Sequence, residues 1–261
     1  MTSTKIAAVI PARMGSSRFP GKPLLEIAGL PMVEHVRRRA LMSGTFSDVV
    51  VATCDAEIQQ AIEGFGGRVI MTKASHPGAT DRVAEAVSHL SCTHVVNVQG
   101  DEVLVLPEDL RTITQTIAAA PDAPAWNAIA PIASAKELAD RSIVKCIASC
   151  GNRILYCSRD FSRLPFKNQG FDPVHIILGL VAFRRDFLTT FCQLPRTAAE
   201  TLESIDQNRI IEHDHDLRGI LLSRGYPGIN EPREAEQVNR LLKEDELQQA
   251  VLQQLLAIKA A

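Results

Sequence analysis

Near the N-terminus the segment PARMGSSRFPGKP (residues 11–23) gathers three cations, Arg13, Arg18 and Lys22, within ten residues. Small residues stand between them, among them Gly15, Ser16 and Gly21, and these leave backbone N–H groups open to a ligand. Cations beside free amides bind anions, and three in one loop suit a triphosphate. The loop is not the Walker A type. Five residues separate Gly15 from Gly21, and Pro23 follows Lys22 where a magnesium-binding Ser or Thr would stand. A basic surface loop is the plain alternative, but this one directly follows the apolar run IAAVI, where α/β proteins place ligands.

A second polar group, Gln99-Gly-Asp-Glu102, closes the apolar stretch THVVNV. An isolated Asp at a strand end usually caps the next turn. Beside a triphosphate loop, Asp101 is better suited to hold Mg²⁺, which bridges carboxylates and phosphates. Arg82 stands at the start of a helical segment, where a cation opposes the macrodipole, so another duty is expected of it. Glu200, Glu203, Asp206, Gln207 and Arg209 fall at helical spacings, a pattern that by itself reads as a solvated face. His213 and His215, flanked by Asp214 and Asp216, read as a solvated turn rather than a metal cluster. No Ser-His-Asp arrangement and no dinucleotide Gly-x-Gly-x-x-Gly fingerprint is present, which sets aside a nicotinamide dehydrogenase.

The elements that must carry these groups alternate in the first half. Strand candidates KIAAVI, DVVVAT, RVIM and THVVNV are separated by helical segments PMVEHVRRRALMSG, DAEIQQAIEGFGG and TDRVAEAVSHL. Asp55 reads as an N-cap, TDR as a capping-type start, and Gly44 as a stop. Uniformly apolar strands between amphipathic helices predict a mostly parallel, Rossmann-like sheet covered by helices. The loops beginning at Pro11, Thr53, Thr72 and Gln99 then gather along one edge. In the second half, WNAIAPI, SIVKCIA, NRILYCSR and HIILGLVAF read as strands, the middle two forming a hairpin at Cys150-Gly151. AAETLESIDQNRIIEHDH reads as one helix, and the C-terminal stretch as one or two. A single α/β domain over residues 1–261 is expected, with an inserted lobe at about 133–195.

With 28 basic and 30 acidic residues the chain has no field that would draw nucleic acid or an anionic membrane. The longest apolar stretch, IILGLVAF, is too short to span a bilayer, and no export signal is visible. A cytoplasmic location is therefore expected. The six cysteines have no zinc spacing and read as buried free thiols.

IPARMGSSRFPGKPL and NVQGDE, with VATCDAEI, GGRVIMT, ATDRVAE, IVK, LYCSR and LESIDQNR in order, resemble the nucleotidyltransferases that activate acidic sugars with CTP, above all the 3-deoxy-manno-octulosonate (Kdo) cytidylyltransferases. The resemblance runs from about Ile6 to Leu242. It implies a nucleotidyltransferase fold, a dimer built through the inserted lobe, and transfer of CMP from CTP to a sugar acid with release of pyrophosphate. It assigns Arg13, Lys22 and Asp101 to catalysis, and Pro11, Ala12, Arg13, Gly15, Ser16, Lys22, Arg82 and Gln99 to the nucleotide. By the same resemblance Arg159 and Gln207 match positions that face the acceptor, with Tyr156, Glu203 and Arg209 as further candidates, and Mg²⁺ is expected on Asp101.

Three departures stand out. Val103 replaces a proline, Ile177 precedes Leu178-Gly179 where the family carries histidine, and Asn230 in GINEP takes the place of a second acidic metal ligand. A neutral amide oxygen binds magnesium less well than a carboxylate, and Glu231 could replace it only with a shifted backbone. The nucleotide half is thus better kept than the acceptor half. That imbalance points to an acceptor other than Kdo itself, such as an amino-Kdo, another nonulosonate or a phosphonate, or to a paralogue that binds nucleotide without catalysis.

Overall fold

The computed structural model describes residues 4–15, 19–166 and 170–258. The chain forms two compact units, Met1–Gln115 with Tyr226–Ala261, and Thr116–Gly225.

The first unit begins with β1 (Ile6–Pro11), buried at every residue. A two-residue hairpin, β2 (Glu26–Ile27) and β3 (Leu30–Pro31), leads into α1 (Met32–Ser43). Then β4 (Asp48–Thr53), α2 (Ala56–Gly64), β5 (Arg68–Met71), α3 (Ala79–Ser88) and β6 (His94–Val98) alternate as expected. β1 pairs in parallel with β4 and with β6, and β4 with β5. Both neighbours of β1 run parallel to it, so its carboxyl end and theirs open on one edge. α1 ends where Gly44 adopts φ +68°, which L side chains resist. Its buried Glu34 accepts from Arg37 Nε and Arg38 Nε, each at 2.6 Å, so three buried charges satisfy one another. α4 (Pro107–Ala119) follows β6, and the boundary between the units falls within it.

The second unit holds β7 (Ala125–Pro131), α5 (Ala135–Ala139), β8 (Lys145–Ala148), β9 (Ile154–Ser158), β10 (Val174–Arg184), α6 (Arg185–Gln193), α7 (Ala198–Glu203), α8 (Gln207–Glu212) and β11 (Leu217–Leu221). β10 runs antiparallel to β7 and β8, β8 antiparallel to β9, and β11 parallel to β7. The unit extends beyond residues 133–195 because β7 and β11 join the strands on which that lobe is built. The chain returns to the first unit for α9 (Glu234–Glu244) and α10 (Glu246–Ala257), separated at Asp245, whose carboxylate accepts the Gln248 N–H at 3.1 Å.

Several local expectations change. α3 takes Gly78 rather than Thr80 as its N-cap. SIVKCIA pairs only from Lys145, because Asp140–Ile143 closes a turn in which Asp140 Oδ1 accepts from Ser142. Among the cysteines, Cys92, Cys146 and Cys157 are buried, whereas Cys150 is exposed and Cys54 and Cys192 are half-buried.

The segment read as one helix from residue 198 breaks at Ser204, which sits at φ +55°. A continuous helix would put Glu200 and Arg209, nine residues apart, on opposite sides; the break lets them meet. Both are buried. Arg209 Nε donates to Glu200 Oε2 at 2.8 Å, its Nη2 donates to Oε1, and its guanidinium lies 4.4 Å from the Phe191 ring centre. Arg209→Met strands a buried carboxylate and is expected to lower unfolding free energy by roughly 3–5 kcal/mol, with Glu200→Gln added in the same chain restoring most of it. Urea unfolding of the single and double variants measures both effects. Equal losses in the two would mean that the ion pair is not what the fold depends on.

Candidate active site

A cavity of about 230 Å³ opens at the carboxyl edge of the parallel sheet in the first unit. Pro11, Ala12 and Arg13 enter it from the end of β1, and Lys22 from a 3-10 turn over Lys22–Leu24. Gly78, Ala79 and Arg82 reach it from the start of α3, and Gln99, Gly100 and Asp101 from the end of β6. Seven of the eight residues expected to serve the nucleotide or the catalysis and lying among the described residues thus share one pocket. Gly15 is exposed and does not line it. Ser16 and Arg18 lie outside the described residues.

Backbone packing explains the glycine in Gln99-Gly100-Asp101. A Cβ on Gly100 would stand 3.0 Å from the Pro11 carbonyl oxygen, so the β1 and β6 ends can approach this closely only with glycine there. The following residues are pinned from below. Val103 and Leu104 are buried in one apolar cluster with Ile27, Met32 and Ile229. Val103, where the resembling family has proline, therefore anchors the loop by packing. Gln248 Nε2 donates to Leu104 O at 2.7 Å, and Arg39 Nη1 to Val105 O at 3.0 Å.

The centre of the pocket is ionic. Lys22 Nζ lies 2.7 Å from Asp101 Oδ2 and 2.8 Å from the Ile229 carbonyl oxygen. Ile229 N–H in turn donates to Asp101 O at 3.3 Å, which ties the Gly228–Asn230 segment to the Asp101 loop. Arg13 is exposed and has no ion-pair partner among the described residues. Arg82, buried, donates through Nη1 to Thr72 Oγ1 and through Nη2 to Cys54 Sγ at 3.5 Å. Those contacts hold it against the ends of β4 and β5 and offset the cost of a cation in the first turn of α3. Gln99 Nε2 approaches Asn97 Oδ1 at 3.4 Å.

For a divalent cation the donor set is suitable but incomplete. A carboxylate oxygen and a carbonyl oxygen already converge on one positive atom, the Lys22 ammonium. Among the described residues no group of three His, Cys, Asp or Glu is present. A magnesium ion on Asp101 would need phosphate oxygens and water to complete its shell, as Mg²⁺ commonly does. Asn230 follows Ile229 in the same segment, and its backbone N–H donates to Glu234 Oε2. Glu231 points its carboxylate to Arg233 Nε at 2.9 Å.

The second unit gathers part of the other expected set. Arg159 Nε donates to Glu203 O at 2.8 Å and Nη1 to Arg141 O at 2.9 Å, so backbone carbonyls orient its guanidinium. The Glu203 carboxylate accepts from Ser158 Oγ at 3.0 Å and from the Arg159 backbone N–H at 3.1 Å. Gln207 Nε2 donates to Asn127 Oδ1 at 2.9 Å. Tyr156 stands exposed on β9, edge-on to Phe161. Arg209 is committed to Glu200.

Two residues were not singled out for a site role from the sequence. Asp55 was read only as a cap, although the strand end TCD places it at the ligand edge. Lys145, seen within IVK, is buried, and its Nζ donates to the carbonyls of Asp140 (2.7 Å), Ile143 (2.9 Å) and Arg159 (2.6 Å). It thereby fixes the turn and the strand end that carry Arg159. Burial lowers its ammonium from 10.5 to about 8, against the pull of Asp140 and Asp160 in the other direction. Between about pH 8 and 10.5 the unfolded chain holds this proton and the folded chain has released it, so stability rises with pH across that window. Wild type is expected to gain unfolding free energy relative to Lys145→Met over the same window, as read by urea titrations at stepped pH. A pH-independent difference would show that the ammonium is not desolvated.

Comparison with known proteins adds the following. Residues 7–217 match the family described as Cytidylyltransferase. The chain is 37% identical over 243 residues to the 3-deoxy-manno-octulosonate cytidylyltransferase of Escherichia coli, covering 93% of this chain and 98% of that one. It is 38% identical over 234 residues to the 8-amino-3,8-dideoxy-manno-octulosonate cytidylyltransferase of Shewanella piezotolerans, covering 88% of this chain and 95% of that one. A solved structure of CMP:2-keto-3-deoxy-manno-octonic acid synthetase complexed with CTP superposes with a TM-score of 0.86 at 36% identity, covering 93% of this chain and all of that one.

Proposed function

The chain belongs to the cytidylyltransferase family, and on that footing we propose that it transfers CMP from CTP to a Kdo-type sugar acid and releases pyrophosphate. A hydroxyl of the acceptor attacks the α-phosphorus of CTP, and the bond to the β-phosphate oxygen breaks. The observation that carries this reading is the pocket in which Arg13 and Lys22 face Asp101 at the end of the parallel sheet. Such a reaction asks the protein mainly for positioning and charge neutralisation.

Arg13 and Lys22 hold the triphosphate, and Lys22 gains phosphate partners in exchange for Asp101. Arg82 and Gln99, both on the pocket wall, read the cytosine edge. Asp101 would hold Mg²⁺, with Asn230 close by in sequence to Ile229. The ion, when bound, neutralises charge on the phosphates and lowers the cost of deprotonating the acceptor hydroxyl. In the second unit the carbonyl-held Arg159 selects the acceptor's carboxylate, a task suited to a planar guanidinium. Tyr156, Glu203 and Gln207 complete that side, while the role of Arg209 is to fix Glu200. The relative from Shewanella piezotolerans supports a second acceptor, the 8-amino analogue. We further propose a homodimer that pairs through the second unit, where Leu155 and Tyr156 of β9 expose apolar surface, and a cytoplasmic location, in keeping with the free thiols. Among the described residues no helix is long and apolar enough to cross a membrane.

Pyrophosphate release from CTP and Mg²⁺ is expected with Kdo or with its 8-amino analogue, and their kcat/KM ratio names the acceptor. Asp101→Asn is expected to lower kcat by roughly 10²–10³, the range for loss of one preorganised electrostatic group, while CTP still binds. CTP binding with no turnover on any sugar acid would leave a nucleotide-binding protein instead.

A further inference from the structure

We propose that Asp55 is a positioning residue for the triphosphate loop, fixing the separation of Arg13 and Lys22 through a hydrogen bond to Met14. This rests on the reading of the pocket as a CTP site.

Asp55 is the N-cap residue of α2, yet its side chain makes no bond to its own helix. Its Oδ2 instead accepts the backbone N–H of Met14 at 2.8 Å, across 41 residues of sequence. A helix start that leaves its cap unused for a remote loop is a local cost, and the loop is what gains. Met14 is held at its other end as well, since its carbonyl accepts the Gly21 N–H at 3.0 Å. That bond closes the loop at its base. Arg13 immediately precedes the closure and Lys22 immediately follows it. Gly21 turns the chain there at φ +76°, which only glycine adopts without strain.

The sheet supports Arg13 from below. Ala12 N–H donates to Ala52 O at 2.9 Å, continuing the β1–β4 pairing one residue past Pro11. Beyond that point the backbone leaves the sheet, and the bond from Met14 to Asp55 is the next anchor. Asp55 is itself steadied, its N–H donating to Thr53 Oγ1 at 3.1 Å. Cys54 Sγ lies 3.6 Å from the same Oδ2 and 3.5 Å from Arg82 Nη2, so the anchor also adjoins the arginine on the opposite pocket wall.

Electrostatics alone would not put a carboxylate here. An anion beside a triphosphate site repels the ligand, so Asp55 must supply geometry that outweighs its charge. Three variants separate these effects. Asp55→Asn keeps an acceptor oxygen and a good helix cap without the charge. Asp55→Ser also keeps a good cap, but its hydroxyl is too short to reach Met14. Asp55→Ala offers neither the acceptor nor a capping side chain.

The expected result by calorimetry with CTP and Mg²⁺ is a Kd for Asp55→Asn within about twofold of wild type or tighter, and about tenfold weaker binding for Asp55→Ser and Asp55→Ala, the scale of one hydrogen bond. Asp55→Ser is expected to melt no lower than wild type, which removes global destabilisation as the cause. Hydrogen exchange at the Met14 amide in the free protein reads the bond without any nucleotide: slow in wild type and Asp55→Asn, fast in Asp55→Ser. Unchanged exchange in Asp55→Ser, or CTP affinity in Asp55→Ser equal to or above that of wild type, overturns the proposal. Absence of CTP binding in wild type would overturn the functional reading, and the exchange measurement would still decide whether Asp55 holds the loop.

Discussion

The ammonium of Lys22, 2.7 Å from Asp101 and 2.8 Å from the Ile229 carbonyl, joins its own turn to stretches of chain 79 and 207 residues further along. A charged group placed this way commits its surroundings. The Asp101 loop must be rigid enough to present one oxygen, and buried Val103 and Leu104 make it so. The Gly228–Asn230 segment must come close enough to offer a carbonyl, and a Cβ on Gly228 would already stand 3.2 Å from the Asp101 carbonyl oxygen. The Lys22 turn must be held at its entry, which the Met14–Gly21 closure does. On the proposed reading, phosphate oxygens would replace the carboxylate as partners of the lysine and leave Asp101 for a metal ion.

The second unit handles cations differently. Arg209 is neutralised by a buried carboxylate and sealed against Phe191, which suits a structural strut. Arg159 and Lys145 are met by backbone carbonyls, whose dipoles orient a cation. What separates Arg209 from Arg159, fifty residues earlier in the chain, is the set of partners each meets, and sequence spacing does not record it.

Much of the first unit was legible from the chain alone. Apolar runs of strand length alternating with amphipathic helices impose a parallel sheet, because only such a sheet buries both strand faces. From that followed the edge at which Arg13, Lys22, Arg82, Gln99 and Asp101 meet. The differences are local. Asp55 stands at the N-cap of α2 as its residue type suggests, but its carboxylate bonds Met14 instead of the helix, and Gly78, not Thr80, takes the N-cap of α3. The charged stretch from Glu200 to Arg209 was read as a solvated face from its period, but φ +55° at Ser204 breaks the helix and lets the buried pair meet. At Asp55 a partner 41 residues away outweighed a weak local preference.

The sequence by itself determined the alternation of β1, β4, β5 and β6 with α1 to α3, their parallel pairing and the loop that carries the cations. Those depend on hydrophobic period and chain direction, both of which are local and repeat over many residues. Only the tertiary structure decided which charges are spent and which are available. Arg13 stands without an ion-pair partner among the described residues, Lys22 is lent to Asp101, Arg82 is braced on Thr72, and Arg209 is consumed by Glu200. The physical reason is that a charge's role is set by what lies within about 4 Å of it. In a folded chain those neighbours come mostly from residues far away in the sequence.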